Sequence, residues 1–297
     1  MKLSFIIVTY KRGDFLQKCL DSIYQQENLP HHYEIVIVDN GGDAAIIPPS
    51  DSSIQFRLER TPSNLGAAGG RNYGIALATG EILIFIDDDA VWHRADDVSR
   101  ILSLMDAYPK CGAVAMHSLD PTTHQPIMTE FPHPDKQYLL GVTAPTEVPY
   151  FYAYGNALRA DVLKITGGYP ERFSIYAEEL DLSLRIIEAG YRIIYDPQLA
   201  VYHHRSNLGR PVQGDHFWRV NTLNKARVAW RLLPMPYPLT TMAAWSLRTL
   251  YKTKKPGIVW SVWRKLWNER QLLRQERKPI RRETVRYLKS IGARLLY

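Results

Sequence analysis

Cysteine is scarce in this 297-residue chain, where Cys19 and Cys111 are the only two. Two thiols make neither a disulfide framework nor a cysteine-built zinc site, and they are what a reducing compartment permits. Long apolar runs are missing too. No stretch of about 18 uncharged apolar residues occurs, so no spanning helix is expected. The opening MKLSFIIVTYKRGD has too short an apolar run, and no small-residue cleavage site, to read as a secretory leader. No internal repeat or low-complexity segment is present. The turn Tyr10–Lys11–Arg12–Gly13 lacks G-x-G-x-x-G, so the pyrophosphate cradle of a dinucleotide-binding dehydrogenase is missing. The cluster Gly66, Gly69, Gly70 and Gly74 has the wrong spacing to supply it. At 45% hydrophobic and 23% charged residues, the composition is nonetheless globular, and the length suffices for a sizeable core.

Acidic residues run out toward the C-terminus. Residues 1–218 carry 18 Lys and Arg against 27 Asp and Glu; residues 219–297 carry 19 against 3. The change marks the expected boundary between a body, 1–218, and a basic helical region, 219–297. That region holds Trp230, Trp245, Trp260, Trp263 and Trp267, with Trp218 at its edge. Tryptophan beside Lys and Arg is the composition of an interfacial helix. Leu239–Tyr251 is apolar but interrupted by Arg248 and too short to span. Val259–Gln275 reads as one helix, with Val259, Trp260, Trp263, Leu266, Trp267 and Leu273 near one face and Arg264, Lys265 and Arg274 elsewhere. An anionic membrane surface is the expected partner. Packing on the body, or pairing of two copies of the chain, uses the same pattern. No nucleic-acid motif accompanies the charge, and no nucleic-acid partner is expected.

The body alternates strand and helix signals. Leu3–Thr9, Glu34–Val38 and Glu81–Ile86 are short, nearly continuous apolar runs, as buried parallel strands should be. Ile54–Leu58 is a weaker strand; Cys111–Met116, Tyr152–Leu158 and Tyr191–Tyr195 follow. Helical periodicity falls at Asp14–Gln26, Asn64–Ala78, Ala95–Ala107 and Leu180–Ala189. The alternation predicts an α/β sheet with helices on both faces. Residues 117–150, rich in Pro, His and Thr, read as a long surface excursion facing an acceptor.

Ligands of open α/β sheets bind beyond the carboxyl ends of the strands. Thr9 and Tyr10, Asp39 and Asn40, and Asp87, Asp88 and Asp89 fall there. Consecutive aspartates after a buried strand repel one another unless a cation or hydrogen-bond donors compensate. Mg²⁺ and Mn²⁺ take carboxylate oxygens and bridge to substrate phosphates.

Several motifs together resemble the family 2 glycosyltransferases of GT-A fold. They are Ser4–Tyr10, Val38–Asp39–Asn40, Asn64–Asn72, Ile86–Asp89, Glu178–Leu182 and Val201–His204, and they span about residues 3–205. The resemblance implies a mostly parallel central sheet flanked by helices. It places Thr9 and Tyr10 along the nucleotide base and Asp39 on base or ribose. Asn64–Asn72 closes over the nucleotide, with Arg71 as a contact. Gly66, Gly69 and Gly70 permit close backbone approach, and a guanidinium suits a phosphate or base edge. Asp87–Asp89 resembles the D-x-D signature: Asp89 is the principal metal ligand, Asp87 serves ribose, metal or both, and Asp88 serves metal or sugar. His203 resembles a histidine that completes the metal shell, with His204 the alternative.

Glu178–Asp181 resembles the E-D-x-D motif, whose second acid, here Glu179, is the catalytic base. This chain has Glu where the usual residue is Asp. Glu178 is the alternative base, and Asp181 orients the helix start or a neighbouring donor. The same acids also suit a helix N-terminus in any protein. Gly167–Gly168–Tyr169 is expected near the donor sugar, Tyr154–Gly155–Asn156 on the acceptor side, and Trp92 and His93 as sugar platforms. The implied reaction is inverting, Mn²⁺- or Mg²⁺-dependent transfer from a nucleoside-diphosphate-sugar, UDP-linked by family habit. The implied acceptor is a glycan or lipid-linked hydroxyl on the cytoplasmic face of a membrane. A non-catalytic nucleotide-sugar- or membrane-binding scaffold and a sugar nucleotidyltransferase are the rival readings.

Overall fold

The computed structural model describes residues 2–42, 46–205 and 214–295. The chain begins β1 (Leu3–Thr9), α1 (Gly13–Tyr24), β2 (Tyr33–Asp39), β3 (Gln55–Arg60), α2 (Gly66–Leu77) and β4 (Ile82–Ile86). Next come β5 (Ala90–Trp92), α3 (Asp97–Ala107), β6 (Cys111–Leu119), α4 (Lys136–Leu140), β7 (Thr146–Glu147) and β8 (Gly155–Arg159). Then follow α5 (Ala160–Thr166), α6 (Glu178–Glu188) and β9 (Arg192–His203). The C-terminal helices are α7 (Asp215–Leu232), α8 (Tyr237–Thr253), α9 (Pro256–Asn268), α10 (Arg270–Gln275) and α11 (Arg282–Ser290).

The strands form one sheet in the order β3-β2-β1-β4-β8-β6-β9-β5, with β7 added against β9. β1 to β4 are mutually parallel, and β6 is parallel to β9. β8 runs antiparallel between β4 and β6. β1, β2, β4 and β9 therefore end along the same edge of the sheet. Their apolar runs are buried on both faces because helices cover both. On one side α1 lays Leu16, Cys19, Leu20 and Ile23 against Phe5, Ile7 and Ile35. On the other, α2 reaches β1 through its glycines. A Cβ on Gly70 would lie 2.6 Å from Val8 Cγ1, and one on Gly74 2.5 Å from Ile6 Cγ2. Gly70 thus serves helix–sheet packing rather than the nucleotide.

Three expectations are corrected here. Residues 117–150 are not a surface excursion: Phe131, Leu139 and Val148 join the core, and His117, Ser118 and Leu119 extend β6. The prolines erase any periodicity, but single apolar residues still reach inward. Trp92 is a buried residue of β5, not a sugar platform. The boundary near 218 falls inside α7, and the helices beyond it share the core of the sheet, with a small cluster of their own at Ala226, Val262, Leu266 and Leu273. Val228, Ala229, Leu232, Ile280, Val285 and Leu288 share one cluster with Leu83, Phe85, Leu158 and Tyr195 of the sheet.

The C-terminal helices differ from expectation in detail. Val259–Gln275 is two helices, because Arg227 grips Glu269 at the junction through bonds of 2.9 and 2.6 Å. In α9 the inward residues are Val262 and Leu266, while Trp260 and Trp267 are 71% and 68% exposed. The tryptophans thus face out, beside Arg264 and Lys265. Among the described residues no helix is long and apolar enough to cross a membrane.

Candidate active site

A cleft of about 890 Å³ opens at the carboxyl edge of the sheet. Thr9, Tyr10, Asn40, Asn64, Gly66, Asp87, Glu130, Glu178, Glu179 and His203 line it, together with residues of α7 and α8. After β4 the chain turns through Asp87–Asp89 and returns as β5, which pairs antiparallel with β9 so that Ala90 opposes His203. That hairpin-like return carries a histidine from far along the chain to the aspartates. Asp87, Asp89 and His203 each offer a ligand atom within 4.8 Å of the others. Two carboxylates and an imidazole suit Mn²⁺ or Mg²⁺, and the residues fit a divalent cation.

His203 is fixed by a residue the sequence reading missed. Its Nδ1 lies 2.8 Å from Glu130 Oε2, and its Nε2 lies 3.4 Å from Asp89 Oδ1. An ionised carboxylate only accepts, so Nδ1 donates to Glu130 and Nε2 is turned toward the aspartates. Such an outer carboxylate sets ring orientation in metal sites. Glu130 is itself held by the Ser118 hydroxyl. Burial pulls the His203 pKa down, but Asp89 and Glu130 outweigh it and raise it to about 9. His204 does not enter the cleft lining: its ring packs on Phe15, and its backbone N–H donates to the Asp89 carbonyl at 2.9 Å.

Asp88 borders the cleft, but both its oxygens are engaged. Thr9 Oγ1 donates to one at 2.7 Å and Arg12 Nη1 to the other at 2.7 Å. Burial raises its pKa to about 7, with Arg12 opposing and Asp89 adding to the rise. Arg12 also lies 3.0 Å from Asp89 Oδ2. Asp39 is buried beside the cleft, its Oδ1 accepting from the Gly41 and Gly42 N–H groups at 2.9 and 2.8 Å; the neighbouring Asn40 is the lining residue. Asn64 Oδ1 accepts from Gly66 N–H at 2.8 Å. Gly66 has φ +73°, and a Cβ there would lie 3.0 Å from the Ser174 carbonyl oxygen. Glycine at this position lets the start of α2 touch the loop before α6, where Ala67 N–H donates to Ser174 O at 2.9 Å.

Arg71, expected on the nucleotide, lines the cleft and bridges two acids. It lies 3.0 Å from Asp87 Oδ1 and 3.2 Å from Glu178 Oε1, tying the aspartate turn to the start of α6. The loop before α6 is strained: Ser174, Tyr176 and Ala177 all have left-handed φ, at 47°, 70° and 67°. It is held by Asn224 of α7, whose Nδ2 lies 3.0, 2.9 and 3.0 Å from the carbonyls of Phe173, Ile175 and Tyr176. Glu178 and Glu179 emerge from this loop into the cleft. Glu178 is buried, its Oε2 lacks a hydrogen-bond partner among the described residues, and burial with the neighbouring Glu179 raises its pKa to about 8. Burial raises Glu179 as well, with Arg71 opposing.

Asp181 is not brought to this group. It is fully buried outside the cleft lining, bonded to Arg185 at 2.8 Å and to Arg231. The neighbouring donors it orients are these two guanidinium groups, and through Arg231 it locks α6 to α7. Tyr169 is likewise buried outside the lining, its backbone clasped by Asn72. Tyr154 does line the cleft, while its neighbour Asn156 is buried. From the C-terminal helices, Phe217, Asn221, Lys225, Trp245 and Arg248 complete the wall.

Residues 4–166 match the family model Glycosyl transferase family 2, more than half of the chain. The chain belongs to that family, and the enzyme class it defines is glycosyltransferase. The O-antigen chain rhamnosyltransferase RfbN of Salmonella typhimurium is 26% identical over 219 residues, which are 68% of this chain and 66% of the relative. The O-antigen biosynthesis protein RfbC of Myxococcus xanthus is 24% identical over 69% of this chain but only 17% of its own length. The match thus spans just under two thirds of the first relative and a small part of the second. In three dimensions, mannosyltransferase PcManGT from Pyrobaculum calidifontis, solved with GDP-Man and Mn²⁺, superposes with a TM-score of 0.61 at 20% identity, over 99% of this chain and 84% of that one. GalNAc-T7, solved with UDP, GalNAc and Mn²⁺, gives 0.61 at 16% identity, over 81% of this chain and 50% of that one. The fold is therefore GT-A, with additional C-terminal helices.

Proposed function

We propose that the protein is an inverting, divalent-cation-dependent transferase that moves a sugar from a nucleoside-diphosphate-sugar to a hydroxyl of a glycan or lipid-linked acceptor. The observation that carries this is the meeting of Asp87, Asp89 and His203 within 4.8 Å, with Asp87 and His203 lining the same cleft as Glu178 and Glu179 and Asp89 buried behind them. Asp87, Asp89 and His203 would hold the cation, and Glu130 orients the imidazole. A bound cation neutralises charge on the leaving diphosphate. Thr9, Tyr10, Asn40 and Asn64 form the end of the cleft for the nucleotide. Glu179 takes the proton of the acceptor hydroxyl as it attacks the anomeric carbon. Its raised pKa suits a base working near neutrality. Glu178 is committed to Arg71 and shapes the field around it. Much of the acceleration then comes from orientation and charge stabilisation.

UDP is the first carrier to test, with GDP and dTDP beside it. The outward tryptophans of α9 and the basic charge around them support a seat on the anionic inner face of a membrane. Calorimetric titration with UDP, GDP and dTDP, with Mn²⁺ and with chelator, should give metal-dependent binding of one of them. Glu179→Gln should lower turnover about 10²–10⁴-fold while nucleotide affinity stays within about threefold. The same loss in Glu178→Gln alone would move the base one residue earlier. No nucleotide binding by the folded protein would leave the scaffold reading. Pyrophosphate release from a nucleoside triphosphate would establish the nucleotidyltransferase.

A further inference from the structure

Besides the acids Asp87, Glu130, Glu178 and Glu179, the cleft is lined by the cations Lys225 and Arg248. Phe217, Asn221 and Lys225 of α7 are four residues apart, so they share the helix face that lines it. Trp245 and Arg248 come from the next helix. Arg248 lies over the Trp245 ring at 5.1 Å from its centroid, and Lys225 lies over the same ring at 5.8 Å. Both cations line the cleft beside one ring, so an anion bound there would meet two positive charges at once. Glu179 is the nearby acid that acts on Lys225, and Arg248 is the cation that opposes it. Glu179 also feels Arg71 and Asp87. Glu179 lines the same cleft as Asp87 and as these two cations.

We propose that Lys225 and Arg248, backed by Trp245, bind a phosphate group carried by the acceptor. The proposal rests on the transferase reading, because it takes the acceptor to lie on the far side of Glu179 from the donor. A guanidinium held over an indole offers a planar, weakly hydrated donor fork to phosphate oxygens, and an ammonium adds a point charge. Binding there would hold the attacking hydroxyl at Glu179. The phosphate has two sources: a lipid-linked diphosphate or a soluble phosphorylated glycan. Leu247 and Tyr251, exposed on the same helix as Arg248, make a membrane-borne lipid the first to test.

The full chain is titrated with inorganic pyrophosphate in chelator, where the metal-ligand cluster contributes least to binding the probe. Binding is expected in the wild type and in Asp89→Ala. It should weaken about tenfold in Lys225→Gln and in Arg248→Gln, the loss of one charge-assisted hydrogen bond, and persist in Lys225→Arg. Mn²⁺-dependent nucleotide binding should change less than about threefold in the same variants. Farnesyl diphosphate binding at least about tenfold tighter than pyrophosphate assigns the lipid source; equal affinities assign the soluble one. The proposal fails if wild type binds no pyrophosphate in chelator, if the Lys225→Gln/Arg248→Gln double variant binds it equally, or if that variant loses nucleotide binding, which would give the cations to the donor. Failure of the wild type to bind any nucleotide with Mn²⁺ would instead overturn the transferase reading.

Discussion

Replacing Asn224 by alanine should damage stability and turnover together while sparing nucleotide binding. The side chain is fully buried, and its amide is the donor for the carbonyls of Phe173, Ile175 and Tyr176. An NH₂ group has two hydrogens, so alanine removes two neutral bonds, worth about 1 kcal/mol each. It also removes the acceptor of Arg227 Nη1 at 2.8 Å, a bond to a charged group worth about 1.5–3 kcal/mol. The sum, about 3–5 kcal/mol, is a large part of a typical stability of about 5–15 kcal/mol. The loop released is the one with Ser174, Tyr176 and Ala177 in left-handed conformation, each costing about 1–3 kcal/mol to hold. Glu179 should then lose its position, and kcat should fall at least about tenfold with little change in donor KM. Urea denaturation and steady-state kinetics measure both. Asn224→Asp, nearly isosteric, turns a carboxylate toward the carbonyls and should be no better. An Asn224→Ala protein within about 1 kcal/mol of wild type, with normal turnover, would refute the reasoning.

Glu130→Ala should weaken Mn²⁺ binding about 10–100-fold, read by calorimetry; unchanged affinity would remove Glu130 from the site. In the metal-free protein the His203 pKa is raised from 6.5 to about 9. Its pairing therefore stabilises the fold fully below 6.5 and is lost as pH rises through about 9. Since a bound cation displaces that proton, metal affinity should climb with pH toward 9, with proton release seen as a buffer-dependent heat. Asp181→Ala leaves Arg231 with Glu276 and Arg185 with the carbonyls of Thr166, Gly167 and Gly168, and loss of its charge-assisted bonds should cost about 1.5–3 kcal/mol; lost nucleotide binding in a still stable variant would return Asp181 to the active site. Trp260→Ser with Trp267→Ser should cut binding to phosphatidylglycerol vesicles about tenfold without changing the unfolding midpoint. Equal vesicle binding would defeat the membrane reading, whereas deleting 240–297 would not test it, since Val285 and Leu288 belong to the core.

The readable parts of this protein were those with local signatures. β1, β2 and β4 are apolar on both faces because they are buried on both faces, and their polar ends mark the edge where ligands bind. The Asp87–Asp89 turn was legible for the same reason. Glu130 was not: it sits in a proline-rich stretch without period, and its meaning lies in a histidine 73 residues later. Lys225 and Arg248 were hidden differently. Lys225 was not singled out in a region of many cations and Arg248 was read only as a break in an apolar segment, whereas packing turned both into the cleft and left Trp260 and Trp267 of α9 outside. Arg71 was found as a residue of the cleft, but its bridge between Asp87 and Glu178 was not legible, because Glu178 lies 107 residues away. Pattern located the chemistry at the strand ends and lost it wherever two distant segments meet.

The shared core also sets where this chain can be recombined. The family match stops at residue 166, yet Ile280, Val285 and Leu288 pack with the sheet and with Phe131, Leu139 and Val148. A chimera crossed over near 218 would inherit a cleft wall from one parent and the residues that seat it from the other. Exchanging this cleft wall between relatives therefore requires moving α7–α11 and the Pro-rich stretch as one inseparable cassette.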